Sequence, residues 1–168
     1  IEGLNHYVTR CQSILQTGRP DNDLLVYWPI HDKWQSAEGM ERMITLHEGR
    51  DWCDFPQVRK LTAAGYTFDF ISDKQILQMD QRGGNLVTTT DGTQYKAMYV
   101  PACRYMPLET LRKLIGLAEG GAIVVFEQLP EGVPGLYQIK QQNKQFRQLL
   151  KKLKFTGNGN GMSIAKIG

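Results

Sequence analysis

Two uninterrupted apolar runs constrain this chain more than any other feature: Leu24 to Trp28 (LLVYW) and Ala122 to Phe126 (AIVVF). Neither alternates, so neither suits a sheet with one wet face. Strands covered on both sides, as in a parallel sheet, read this way. Ala97 to Val100, closed by Pro101, is a third such run, and Tyr66 to Ile71 a fourth strand that sets Phe68 and Phe70 on one face. The segments between them carry helical spacing. Pro107 to Ala118 repeats Leu108, Leu111, Leu114 and Ile115, starts on a proline and ends at Gly120-Gly121. Gln138 to Lys154 repeats Ile139, Phe146, Leu149, Leu150 and Leu153, and Phe55 to Ala64 ends at Gly65. Apolar strands alternating with helices predict an α/β fold, a doubly wound and mainly parallel sheet of flavodoxin-like layout.

The remaining segments decorate that frame. Leu4 to Gln16 predicts a helix whose stripe, Leu4, Tyr7, Cys11 and Leu15, is broad enough to bury against the domain's own sheet. Residues 31 to 54 read as polar and irregular, with a short helix around Met40 to His47. Ser72 and Asp73 are placed to cap a helical turn through Leu77. Asn85 to Thr89 and Thr93 to Lys96 flank Asp91-Gly92, the signature of a two-residue type I′ hairpin inserted before the third core strand. The GNGNG run at Gly157 to Gly161 reads as a linker, and Met162 to Ile167 as a short final strand. The first residue is Ile1 and the last segment stops abruptly, so both ends read as cut from something longer.

Composition excludes several classes. With 168 residues and 41% apolar content, the chain can bury a core without disulfides or metal. Apolar runs stay far below the roughly 18 residues of a membrane span, which argues against a membrane partner. Cys11, Cys53 and Cys103 are odd in number and far apart, with no metal-ligand spacing. Net charge is +3, but Lys140, Lys144, Arg147, Lys151, Lys152 and Lys154 form a +6 segment free of acids. Interleaved aromatics and nucleic-acid motifs are missing there, so the segment reads as a solvated helix flank rather than a nucleic-acid surface.

In an open parallel sheet, ligands bind outside the carboxyl ends of the strands. Four edges therefore matter: Pro29 to Asp32, Ser72-Asp73, Ala102 to Arg104 and Glu127-Gln128. Cys103 sits where an amidotransferase carries its nucleophile, but VPACRYMP lacks the glycines of a sharp nucleophile turn. All three histidines, His6, His31 and His47, lie in the first third. The thiol reads as buried or loop-held. His31, Asp32 and Trp34 read as a substrate edge, an aromatic ring with polar neighbours suited to a sugar. Glu41, Glu48, Asp51 and Asp54 cluster in one loop region, yet loop carboxylates are usually just solvated. GNGNG lacks the following helix that a dinucleotide fingerprint requires.

Three stretches, NHYVTRCQSILQTGRPDNDLLVYWP, FPQVRKLTAAGYTFDFIS and DGTQYKAMYVPACRYMPLETLRKLIGLAEGGAIVVF, carry a family pattern. Arg10, Gln12, Leu15, Gln16, Gly18, Pro20 and Asp23 are its first block. Gly65, Tyr66, Asp69 and Ile71 are its second, and Asp91, Gly92, Tyr95, Pro101, Met106 and Leu111 its third. Over roughly residues 5 to 136 the chain resembles the region after the catalytic barrel in glycoside hydrolase family 106, the α-L-rhamnosidases. The resemblance implies a glutamine-amidotransferase-like domain beside a barrel that holds two catalytic carboxylates and a calcium site. It divides the chain into a leading helix and linker (1–23), the α/β domain (24–156), and a linker with a final strand (157–168). A (β/α)₈ barrel takes about 250 residues, so no catalytic residue, metal or cofactor is carried over onto this chain.

The expectation is a non-catalytic accessory domain whose partners are the barrel of its own polypeptide and a rhamnose-containing carbohydrate. The resemblance places the parent in the periplasm or outside the cell. The alternative is a stand-alone carbohydrate- or small-ligand-binding module; a cysteine-dependent amidotransferase or hydrolase ranks last.

Overall fold

The computed structural model describes residues 2–18, 21–35, 56–88, 92–157 and 163–165. Its centre is a four-stranded, wholly parallel sheet of β1 (Leu24–Tyr27), β2 (Phe68–Ile71), β6 (Ala97–Val100) and β7 (Ile123–Phe126), in the order β2-β1-β6-β7. The three apolar runs and the alternating fourth strand read from the sequence are these strands, parallel and adjacent. Leu25 pairs with Asp69 on one side and Met98 on the other, and Met98 in turn with Val124.

Side chains alternate across the sheet, and one face makes the core. Leu25, Tyr27, Ile71, Met98 and Val100 meet α5 (Leu108–Glu119) through Leu111, Leu114 and Leu117, and α6 (Ile139–Lys152) through Phe146. Phe146 is fully buried. The predicted apolar stripes of both helices therefore turn inward as their spacing requires. Gly121 adopts φ +100° where α5 gives way to β7. That left-handed backbone is easy only for glycine, and it lets Ala122 N–H return to Leu117 O at 3.0 Å.

The opposite face is open at its β7 edge: Ile123 is 59% exposed and Val125 is also exposed. The helix expected to bury against the sheet does not do so. In α1 (Glu2–Thr17) no residue is buried, and Leu15 is 78% exposed. Its stripe is real, but periodicity shows only that a helix has an apolar side, not which surface covers it.

Two short helices frame the strand ends. α2 (Ile30–Gln35) follows β1 directly, where an irregular loop was expected. Asp32 N–H bonds to Pro29 O at 3.3 Å, so Pro29 closes the strand and opens a turn of helix. α3 (Pro56–Ala63) precedes β2 and buries Val58. After β2, α4 (Asp73–Gln78) starts at the expected cap, and Gln75 Oε1 accepts Ser72 N–H at 3.0 Å and the Ser72 hydroxyl at 2.7 Å.

The inserted hairpin is a three-stranded antiparallel sheet, β3-β4-β5, of Asp80–Arg82, Asn85–Val87 and Gln94–Tyr95. β3 escaped the sequence reading because Asp80-Gln81-Arg82 has no apolar alternation. The turn into β4 uses Gly83 and Gly84, both at positive φ. Thr88 N–H bonds to Thr93 O at 3.0 Å, so four residues separate the closing pair, not the two of a type I′ turn. Gly92, at φ +72°, returns its N–H to Thr88 O. Ser163–Ile164 (β9) is a strand, as expected, but it pairs antiparallel with Thr156–Gly157 (β8), apart from the main sheet. The expected Met40–His47 helix, and Glu41, Glu48, Asp51, Asp54 and Cys53, lie outside the described residues.

Candidate functional site: the carboxyl edge of the sheet

All four strand ends singled out in the sequence come together, and carboxylates stitch them. Asp32, on α2 after β1, accepts the backbone N–H of Arg104 at 2.7 Å and of Tyr105 at 2.8 Å, one on each oxygen. This fastens the turn after β6 to the end of β1 across more than 70 residues of sequence. Glu127, after β7, accepts Ala102 N–H at 3.1 Å and the Tyr99 hydroxyl at 2.8 Å through Oε2. The far side of the same turn is held by Met106 N–H to Gly132 O at 3.0 Å and by the Arg104–Glu131 ion pair at 3.4 Å.

Asp73 is the hub. Its Oδ1 accepts the Tyr27 hydroxyl at 2.9 Å and the Thr110 hydroxyl at 2.6 Å, and Oδ2 lies 3.3 Å from His31 Nε2. Burial works to raise the Asp73 carboxyl, but the hydrogen bonds from His31, Thr110 and Tyr27, with the His31 charge, outweigh it and hold the group below its ordinary range. The sequence offered Asp73 as part of a helix start and of one of the four strand-end edges, but not as the hub that joins them. Its partners stand 37 to 46 residues away, and no local signal announces them.

Of the expected substrate edge, His31 and Asp32 are half-buried and face inward to this network, whereas Trp34 is 54% exposed. The His31 and Trp34 rings meet edge to face, 5.5 Å between centroids at 86°. The three residues share one helix, and they divide as an apolar ring outside and polar atoms within.

Cys103 is 5% exposed, and its thiol is pushed up to about 12 by burial first, then by the charges of Asp32 and Asp73. A nucleophilic cysteine requires the reverse, a positive surrounding that favours thiolate. Cys103 packs in the hydrophobic core. Among the described residues no three His, Cys, Asp or Glu converge as metal ligands. No described helix is long and apolar enough to cross a membrane. The six bases from Lys140 to Lys154 are all exposed and join no ion pair among the described residues.

The residues that carried the sequence pattern have structural work. Asp69 accepts the Tyr95 hydroxyl at 2.8 Å and the Asn22 amide at 2.7 Å, which ties β2 to the hairpin and to the approach of β1. Pro101, Met106 and Leu111 are buried.

Comparison with known proteins agrees with that pattern. A protein of Formosa agariphila named "Putative beta-glucuronidase" is 24% identical over 143 residues, 85% of this chain and 10% of that protein. The solved rhamnosidase of Novosphingobium sp. PP1Y superposes with a TM-score of 0.63 at 26% identity, over 96% of this chain and 14% of that one. The chain thus spans about a tenth to a seventh of these relatives' lengths. The family model described as alpha-L-rhamnosidase, glycoside hydrolase family 106, matches residues 1–168. A parallel sheet built on that family's spacing, matched from end to end, has one reading: the chain belongs to glycoside hydrolase family 106.

Proposed function

We propose that these residues form a non-catalytic accessory domain of a rhamnosidase-type glycosidase, supporting a catalytic barrel in the same polypeptide and lending its His31–Trp34 edge to a rhamnose-containing carbohydrate. The observation that carries this reading is the state of the carboxyl edge. Asp32 and Asp73 engage both of their oxygens, and Glu127 its Oε2, in holding strand ends together, and Cys103, the one thiol there among the described residues, is buried and held protonated. A glycosidase needs two carboxylates facing each other across a bond, one of them free to give a proton. Carboxylates committed to backbone amides and hydroxyls build a frame instead.

Two further features support the reading. Strand order second-first-third-fourth matches the opening of a flavodoxin-like, amidotransferase-like sheet, a fold that carries no chemistry by itself. The exposed stripe of α1 offers an apolar surface for a neighbouring domain, with α1 as the joint. Such an enzyme would work on polysaccharide in the periplasm or outside the cell. Asp32 keeps a second lone pair on each oxygen for a sugar hydroxyl, and Trp34 supplies a ring face.

The test is turnover by the chain alone on an aryl α-L-rhamnoside and on glutamine. Neither is expected to be hydrolysed above background. Hydrolysis abolished by Cys103→Ala, or by Glu41→Gln or Glu48→Gln, would overturn the accessory reading.

A further inference from the structure

We propose that Asp73 is a positioning residue that fixes the His31 imidazole with its proton on Nε2, so that Nδ1 stands as a bare acceptor and the edge selects uncharged, hydroxyl-bearing sugars over acidic ones. The inference rests on the edge being a carbohydrate site and goes further, to what that site accepts.

An ionised carboxylate can only accept. Two of the donors on Asp73 are hydroxyls, Tyr27 at 2.9 Å and Thr110 at 2.6 Å, both on Oδ1. Oδ2 is left facing His31 Nε2 at 3.3 Å. A lone pair on Nε2 would face the carboxylate oxygen unfavourably, so a neutral ring carries its hydrogen on that nitrogen. When the ring is neutral it has one N–H, so Nδ1 keeps its lone pair. Nδ1 has no hydrogen-bond partner among the described residues. The His31 side chain is only 20% exposed, so the ring is held in place yet still reachable. Beside it Trp34 meets the ring edge to face and is itself exposed.

A ligand against this pair must give a hydrogen bond to Nδ1 and lay an apolar patch on Trp34. A sugar hydroxyl on a ring with a C–H face does both. An acidic sugar could also give a hydroxyl, but its carboxylate or sulfate would approach the negative charges of Asp73 and Asp32, which works against its binding. The same two charges work against the Cys103 thiolate, so the field of the edge already acts on a neighbouring group.

The test uses the isotope-labelled 168-residue chain at about pH 8.5, roughly two units above an ordinary imidazole pKa. Two-bond proton–nitrogen correlations report which His31 nitrogen is protonated. Methyl α-L-rhamnopyranoside and, separately, sodium glucuronate are then titrated at constant ionic strength. The expected result is an Nε2–H tautomer, an Nδ1 resonance that moves with millimolar rhamnoside, and no such movement with glucuronate. Asp73→Asn should mix the tautomers and weaken rhamnoside binding by about threefold to tenfold, the worth of roughly one hydrogen bond.

Two substitutions at His31 guard against a variant that merely unfolds. His31→Asn places an acceptor near the Nδ1 position and should keep more of the binding. His31→Gln reaches Asp73 like Nε2 and should keep more of the stability; a purely structural histidine would show no such split. Rhamnoside binding to a His31 protonated on Nδ1, or averaging between tautomers, overturns the role of Asp73 and leaves the carbohydrate edge standing. An Nε2–H tautomer with no response to either sugar overturns the carbohydrate edge and the selectivity with it. Equal response to glucuronate overturns the selectivity.

Discussion

Asp32→Ala isolates the strongest cross-link in the edge. The carboxylate accepts two backbone amides, Arg104 at 2.7 Å and Tyr105 at 2.8 Å. A hydrogen bond to a charged group is worth about 1.5–3 kcal/mol when sheltered. The Tyr105 bond is partly buried and takes that range; the Arg104 bond is exposed, so water replaces much of it. Together the loss comes to about 3 kcal/mol. Asn in place of Asp keeps one acceptor but turns an NH₂ toward the second amide, so it recovers at most about half. Urea unfolding followed by far-ultraviolet dichroism reads the change. With a typical slope of about 2 kcal/mol per molar, the Ala midpoint falls by about 1.5 M and the slope stays constant. Amide exchange at Arg104 and Tyr105 should accelerate in parallel. A midpoint shift below about 0.3 M, with those amides still protected, would show that the turn after β6 holds itself and that Asp32 is free for other work.

Three other outcomes follow from the same structure. Phe146→Ala, at a fully buried position between α6 and the sheet, should cost about 3–5 kcal/mol in denaturant unfolding, whereas Lys144→Ala on the exposed flank should shift stability by less than about 0.5 kcal/mol. Because the Asp73 carboxyl is held below its ordinary value in the folded chain, its contribution is present above the unfolded carboxylate value of about 3.9 and is lost as pH falls through the lower folded value; the acid limb of a stability–pH profile should be shallower in Asp73→Asn. Native Cys103, with its thiol raised to about 12, should resist iodoacetamide at about pH 8 while the half-buried Cys11 is alkylated; mass mapping separates the two.

How far the sequence could be read depended on whether a signal was local. Three of the four parallel strands were legible as unbroken apolar runs and β2 by its alternation of Phe68 and Phe70 with polar residues, and burial on both faces leaves no other arrangement for LLVY between two neighbours. α5 and α6 were legible because their stripes pack on those strands. β3 was not, since a short edge strand of Asp80, Gln81 and Arg82 carries no alternation. α2 was hidden by its six-residue length behind Pro29. α1 was read correctly as an amphipathic helix and wrongly as packed on the sheet, because a stripe does not name its partner. The edge was located from topology alone, but its working parts were not. Asp73 joins β1, α2 and α5, and only the folded chain brings Tyr27, His31 and Thr110 to it.

If this domain contributes a contact rather than chemistry, the contact runs through Trp34. It is exposed, so its removal should leave the domain's thermal midpoint within about 1 °C. Kinetics of the barrel-bearing polypeptide with Trp34→Ala on a rhamnose-containing glycan should then show kcat/KM lowered by about threefold to tenfold, the scale of one aromatic contact, at an unchanged midpoint. Wild-type kcat/KM in that variant would contradict the claim and leave the His31–Trp34 edge with structure alone.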